Sequence, residues 1–192
     1  RLFGIPDPLA AQAIRSFRGL EHRMEHVTTT ARGVHVVNDS KSTTPDSLRF
    51  ALAEIPGEVV VIIGGRDKGL DFGQLVEPLH AKRVKGIVLI GESRPRFRRL
   101  LNGAVQAPPM HESDTLEEAV QIANRLTRPG TTLLFSPACA SFDMFRDFED
   151  RGRAFKEIVH RMASVECGVA SDGHEPQTTP TRHSSLVTRH LS

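Results

Sequence analysis

The stretch EVVVIIGGRDKGLDF, residues 58–72, decides the fold. Its first half is an unbroken β-branched run. A half-exposed strand alternates apolar and polar residues, so a run apolar on both faces reads as a strand buried on both faces. Two glycines follow at once, Gly64 and Gly65, where a ligand or another backbone comes close. Phe72, Leu75, Val76 and Leu79 then recur at helical spacing.

The same alternation extends outward. Val84 to Ile90 is a second buried strand, and Ser93 to Leu101 a basic helix. Asp114 to Leu126 is a helix with Leu116, Ala119, Val120 and Ala123 on one face. Its capping box is Asp114 with Glu117 or Thr115 with Glu118. Thr131 to Phe135 is the last strand. Phe145, Phe148, Phe155 and Val159 mark a long helix behind it. Upstream, Thr44 caps a helix with Pro45 at its first position, and Leu48, Ala51, Leu52 and Ile55 share its apolar face. Glu25 to Thr30 and Val34 to Val37 flank an Ala31-Arg32-Gly33 turn and read as a β-hairpin. Before them, Pro8 starts a helix whose face holds Leu9, Ala13, Ile14 and Phe17, and which Gly19 ends. From Ala163 onward Ser, Thr, Pro, His and Gly dominate, and residues 163–192 read as a disordered tail. The fold class is α/β: a mostly parallel sheet with helices on both faces. In such sheets ligands bind at the carboxyl ends of the strands.

Composition narrows the function classes. The 192 residues carry a net charge of +2, with no Trp or Tyr, so Phe and the aliphatic residues build the core. Lys and Arg are interspersed with Asp and Glu, and no basic stripe with aromatic platforms supports nucleic-acid binding. No apolar run approaches the ~20 residues of a membrane span. Cys139 and Cys167 lie far apart, which fits a reducing cytoplasm rather than a disulfide framework. No Cys/His cluster has metal-ligand spacing.

Four segments can carry chemistry. In the first, 19–23, Arg23 can grip a phosphate, or be a surface residue of a linker. The second, 37–45, joins a strand to a helix N-terminus, whose amides favour anions. There Asp39 can orient a hydroxyl, Lys41 supplies charge and Thr43 a hydroxyl, unless the loop merely caps the helix. The third is the glycine turn, where Lys68 reaches the sheet edge that Lys41 reaches. Two lysine loops at adjacent strand ends suit a dicarboxylate. The fourth, SPACASFDMFRDFEDRG at 136–152, leaves the last strand through small residues. Its Ser141 can cap the helix or bind a carboxylate. Cys139 fits a buried structural thiol better than a nucleophile, because no His follows usefully. Arg151 either brings charge to a site edge or solvates the helix. His22 and His35 have no obvious partner and read as structural or surface residues.

In this order and spacing, GLEHRMEHV, VNDSKSTTPDS, IIGGRDKGLDF and LLFSPACASFDMFRDFEDRGRAF resemble the MurD ligases of the Mur ligase superfamily, over about residues 1–159. The resemblance implies the C-terminal, Rossmann-like domain (21–162) of an ATP- and Mg²⁺-dependent enzyme, preceded by the end of its central domain (1–20). That enzyme joins D-glutamate to UDP-N-acetylmuramoyl-L-alanine in the bacterial cytoplasm, through an acyl phosphate. By motif position, Thr43 and Lys68 match ligands of one D-glutamate carboxylate. Ser141, with the backbone near Phe148, matches the ligand of the other, and Phe142 packs beside it. Lys41 matches a catalytic lysine facing substrate or phosphate. Arg23 and Asp39 match nucleotide contacts. The loop reads KSTT where many members have KATN, so Thr44 stands in for an Asn. No GxxxxGK[ST] loop occurs. The chain is therefore expected to be part of a longer ligase and inactive alone. The other readings are a non-catalytic Rossmann-like binding module and a sibling such as folylpolyglutamate synthase.

Overall fold

The computed structural model describes residues 6–17, 19–102 and 107–171, with 167–171 as backbone. The elements run α1 (Asp7–Ser16), β1 (Glu25–Thr29), β2 (His35–Asn38), α2 (Pro45–Glu54), β3 (Val59–Gly64), a 3₁₀ turn (Gly73–Leu75), α3 (Val76–Leu79), β4 (Val84–Ile90), α4 (Arg94–Leu101), β5 (Met110–Glu112), α5 (Leu116–Leu126), β6 (Thr132–Phe135) and α6 (Phe148–Ser171). The six strands form one sheet in the order β1-β2-β6-β3-β4-β5. β1 pairs antiparallel with β2, as the hairpin turn demands. The other pairings are parallel.

Side chains of β3 alternate between two cores, as the two-residue period of a strand requires. Val59, Val61 and Ile63 face Leu48 and Leu52 of α2, Leu75, Leu79 of α3, and Phe97 of α4. Val60 and Ile62 face Ala119, Val120 and Ala123 of α5, and Phe155 and Val159 of α6. All five strand residues are fully buried, which explains the missing polar alternation. Full burial of each such side chain contributes roughly 1.5–3 kcal/mol. Stacked phenylalanines brace both faces: Phe72 on Phe97 at 4.3 Å, and Phe135 on Phe155 at 4.6 Å.

Four expectations change. β2 and β3 are not neighbours, because β6 inserts between them and pairs with both. The lysine loops therefore flank the 136–141 loop rather than each other. β5 was not expected: it is a three-residue edge strand with two exposed positions. The apolar stripe of α1 is present, but none of its residues is buried, and Leu9, Ile14 and Phe17 are exposed. Finally, α6 continues past Ala163 to Ser171. Glu166 holds that extension, accepting from Asn124 Nδ2 at 2.9 Å, with Arg32 at 3.9 Å. The rest of the expected tail, 172–192, lies outside the described residues.

Candidate functional site

The loops leaving β2, β6 and β3 lie side by side at the carboxyl end of the sheet. The middle one is built for close packing. Ser136, Ala138, Cys139, Ala140 and Ser141 are all buried, and Ala138 takes a φ of 60°. The glycine turn docks onto it: Gly64 N–H donates to Pro137 O at 2.8 Å, and Arg66 N–H to Ala140 O at 2.9 Å. Gly65 has a φ of 144°, and a Cβ there would overlap Ala140 O and crowd the Arg151 guanidinium. The two glycines thus admit backbone and a buried side chain, which resolves the alternative left open by the sequence.

Beyond the β2 end, Asp39 is buried. Ser136 Oγ donates to it at 2.8 Å and Met24 N–H at 3.1 Å. Burial pushes its carboxyl pKa up, while those two hydrogen bonds and the Arg23 charge pull it down. Arg23 is held between two residues in the left-handed region, His22 (φ 62°) and Met24 (φ 47°). Such conformations cost on the order of 1–2 kcal/mol each and persist only where the surroundings over-determine them. Here Glu25 Oε2 accepts from His22 N–H, Asp39 from Met24 N–H, and His22 O from Lys41 N–H. The strained turn fixes Arg23 at an open cleft of about 260 Å³ that Asp39, Lys41, Ser42 and Phe50 also line. Thr44 caps α2 there, accepting from Ser47 N–H, so the helix amides point toward the same end.

Lys41 and Lys68 are exposed, and Thr43 is half-buried. Lys41 Nζ sits 5.3 Å above the Phe148 ring. Ser141 is buried, but it does not cap α6. Its carbonyl accepts from Met144 and Phe145 N–H, and Asp147 Oδ1 caps the helix by accepting from Asp150 N–H at 2.6 Å. Phe145 consequently lies before the helix, half-buried against the second core. Phe142 is 69% exposed and belongs to neither core. Its neighbour Asp143 turns inward, accepting from Glu92 N–H at 2.9 Å. Cys139 is a buried structural thiol: desolvation pushes its pKa up to about 11, against the Ser93 hydrogen bond. A thiol so raised is a poor nucleophile at neutral pH.

Two residues have more to do than their sequence context suggested. Arg151 is 1% exposed, not a solvating residue of the helix. Its Nε donates to Ser40 Oγ at 3.0 Å, one terminal nitrogen to Ser40 O at 2.7 Å and the other to Cys139 O at 3.0 Å. The signal was present: Arg151, Phe155 and Val159 recur at i, i+4 and i+8, on the buried face of α6. His22 does have partners. Its Nδ1 lies 2.9 Å from Asn38 Nδ2, beside Glu25, and Gly152 leaves room for its ring. His35, by contrast, is exposed; its Nδ1 lies 3.2 Å from Thr29 Oγ1 and its ring 6.3 Å from that of His26. Among the described residues no group of His, Cys, Asp and Glu can hold a metal ion.

The family described as Mur ligase, glutamate ligase domain, matches residues 22–139. A UDP-N-acetylmuramoylalanine–D-glutamate ligase of Chlorobaculum parvum is 46% identical over 164 residues, covering 85% of this chain and 34% of the relative. The ligase of the same name from Solibacter usitatus is 43% identical over 157 residues, covering 82% and 34%. The chain thus spans about a third of the length of the curated relatives it matches. Among solved structures, the UDP-N-acetylmuramate–alanine ligase MurC of Thermotoga maritima superposes with a TM-score of 0.55 at 20% identity, over 80% of this chain and 33% of that one. The MurF ligase of the same organism, in complex with ADP, gives 0.53 at 17% identity, over 77% and 33%. At these identities the likeness is one of fold.

Proposed function

Because the chain belongs to the Mur ligase family through its glutamate ligase domain, we propose that it is the acceptor-binding part of an ATP-dependent ligase. The ligase adds D-glutamate to UDP-N-acetylmuramoyl-L-alanine in peptidoglycan precursor synthesis. The relatives' shared name supplies the substrates. The observation that carries the reading is the convergence of three loops at one sheet edge, bearing Lys41 and Thr43, Ser141, and Lys68. Two cations, two hydroxyls and a helix N-terminus suit a small dianion.

In this reading Lys68 and Thr43 hold one carboxylate of D-glutamate. Ser141 and the backbone near Phe148 hold the other, with Phe142 exposed at the rim. The amino group is then left free to attack an acyl phosphate formed on the UDP-sugar substrate: the new C–N bond forms as the bond from the acyl carbon to the phosphate oxygen breaks, inorganic phosphate leaves and the amine gives up a proton. The domain contributes position and charge: oriented binding removes the entropic cost of bringing two reactants together, and fixed cations stabilise developing negative charge. Lys41 faces the reacting phosphate or substrate. In the cleft, Arg23 meets ATP phosphate and Asp39 the nucleoside side. A buried carboxylate beside an Arg, a Lys and helix amides fits that polar ligand. Mg²⁺ would neutralise phosphate charge when bound. No residue cluster described in this chain can hold it, and no step proposed for these residues depends on it. The reaction belongs to the cytoplasm in this reading. Among the described residues, no helix is long and apolar enough to cross a membrane.

The test uses the complete gene product and a panel of amino acids. We expect turnover with D-glutamate, and in Lys68→Ala a D-glutamate KM raised roughly 10- to 100-fold, as loss of a charge-assisted contact implies. Turnover with a different amino acid and none with D-glutamate overturns the assignment. An unchanged KM removes Lys68 from the site.

A further inference from the structure

One guanidinium bonds two loops of the candidate acceptor site and lies close to the third. Arg151 donates to Ser40, next to Lys41 and three residues before Thr43. It donates to the carbonyl of Cys139, two residues before Ser141. Its Nη1 also lies 3.2 Å from where a Cβ on Gly65 would stand, three residues before Lys68. The acceptors are a hydroxyl and two carbonyls, all neutral. Among the described residues no carboxylate reaches ion-pair distance of it; the Asp143 charge acts on it from further off, and the guanidinium lies 5.9 Å from the centre of the Phe135 ring.

A buried charge is usually paired, because removing it from water costs several kcal/mol even after relaxation. Burial here draws the Arg151 pKa down to about 10, so the group still carries its charge at neutral pH. The fold retains an ionised side chain, beneath the loops, that no carboxylate of the described residues pairs with directly and that the Asp143 charge only partly offsets. Its planar fork suits simultaneous bonding to several loops, as a lysine ammonium does not.

We propose that Arg151 is the positioning residue of the acceptor site: it fixes the three ligand-bearing loops relative to one another, and its charge, paired with no adjacent carboxylate, is further offset by the dianionic amino acid that binds above it. This rests on the reading of the site given under Proposed function. Arg151 acts through Ser40, Cys139 and Gly65, and does not itself touch the substrate.

The experiment compares Arg151→Met and Arg151→Lys with the parent in the complete gene product, measuring KM for D-glutamate and for ATP separately, with circular dichroism and thermal unfolding as controls. Met fills similar volume without charge or donors. We expect a folded Met variant with a D-glutamate KM raised ~30-fold or more and an ATP KM changed less than about 2-fold, since misplacing binding groups by about 1 Å has effects of this order. The Lys variant, keeping charge but losing the fork, should fall between, at about 5-fold. A folded Met variant with a parental D-glutamate KM overturns the proposal, as does a parallel rise in both KM values. If the Met variant does not fold, the Lys variant decides: a selective rise in the D-glutamate KM supports the role and a parental KM overturns it. A parent that uses another amino acid sinks the reading of the site itself. A parent that uses D-glutamate with indifferent variants sinks only the role of Arg151.

Discussion

At the residue scale, the sheet edge is shaped by what is left out of two positions. Gly65 has a φ of 144° and no space for a methyl group, since Ala140 O, Cys139 Cβ and Arg151 surround the place it would take. We expect Gly65→Ala to destabilise the domain by roughly 2–4 kcal/mol, adding left-handed strain to overpacking. A urea unfolding midpoint within error of the parent's would contradict this. The sequence alone showed that something approaches Gly64 and Gly65 closely. It did not show what, because the approaching atoms belong to Ile90 at Gly64 and to Cys139, Ala140 and Arg151 at Gly65, and only the tertiary fold brings those together. Of the two readings open for Arg151, charge at a site edge or solvation of the helix, neither put it inside the fold, for a related reason. Its charge argued for a surface position, and its place on the buried face of α6 argued against it. Three hydrogen bonds to Ser40 and Cys139 decide the matter.

At the element scale, local signals held well. The buried β3 and β4, the Thr44 cap and the hairpin were all legible, since each depends on a few neighbouring residues. Of the two capping pairs open for α5, the structure selects Thr115 with Glu118: Thr115 Oγ1 accepts from Glu118 N–H at 3.1 Å. Glu118 does not reach back to the cap amide but accepts from Ser113 Oγ at 2.8 Å, and Ser113 Oγ accepts from Thr115 N–H. We expect Thr115→Ala to lower stability by ~1 kcal/mol, the ordinary value of an N-cap. Thermal unfolding reads this directly, and an unshifted midpoint would show that Ser113 carries the cap alone. β5 escaped notice because three residues at a sheet edge leave no periodicity to detect. The far end of α6 escaped for a different reason: Glu166 stabilises it through Asn124 and Arg32, contacts distant in sequence.

At the scale of the whole molecule, His22 ties the start of the domain to its last helix. It contacts Asn38 of β2 and packs on Gly152 of α6, while Lys156 bridges Glu21 at 2.5 Å and Glu25 at 3.0 Å. Burial holds the His22 pKa below its ordinary value of 6.5, with the Lys156 charge acting the same way and the Glu21 and Glu25 charges opposing. The unfolded chain therefore binds a proton that the folded one resists. Stability is fully present above pH 6.5 and falls as the pH drops below it toward the folded value. Glu21, held down chiefly by its hydrogen bond to Lys156, gives up its own contribution only below 4.5. Between those limits we expect the unfolding midpoint to decline with acidification, and His22→Gln to flatten the slope. An equal slope in both proteins would assign the loss elsewhere. Strand order was the least legible property, since no residue of β2 or β3 announces that β6 lies between them. That insertion has a kinetic consequence. Pairing across the site waits for residues 132–135, so a ribosome must release most of the domain before the sheet can close. Contacts this distant in sequence slow folding, and until β6 arrives the inner edges of β2 and β3 are unpaired, apolar and open to wrong partners. The candidate site thus takes shape only once β6 has been made, and until then two apolar strand edges of the nascent chain are open to aggregation.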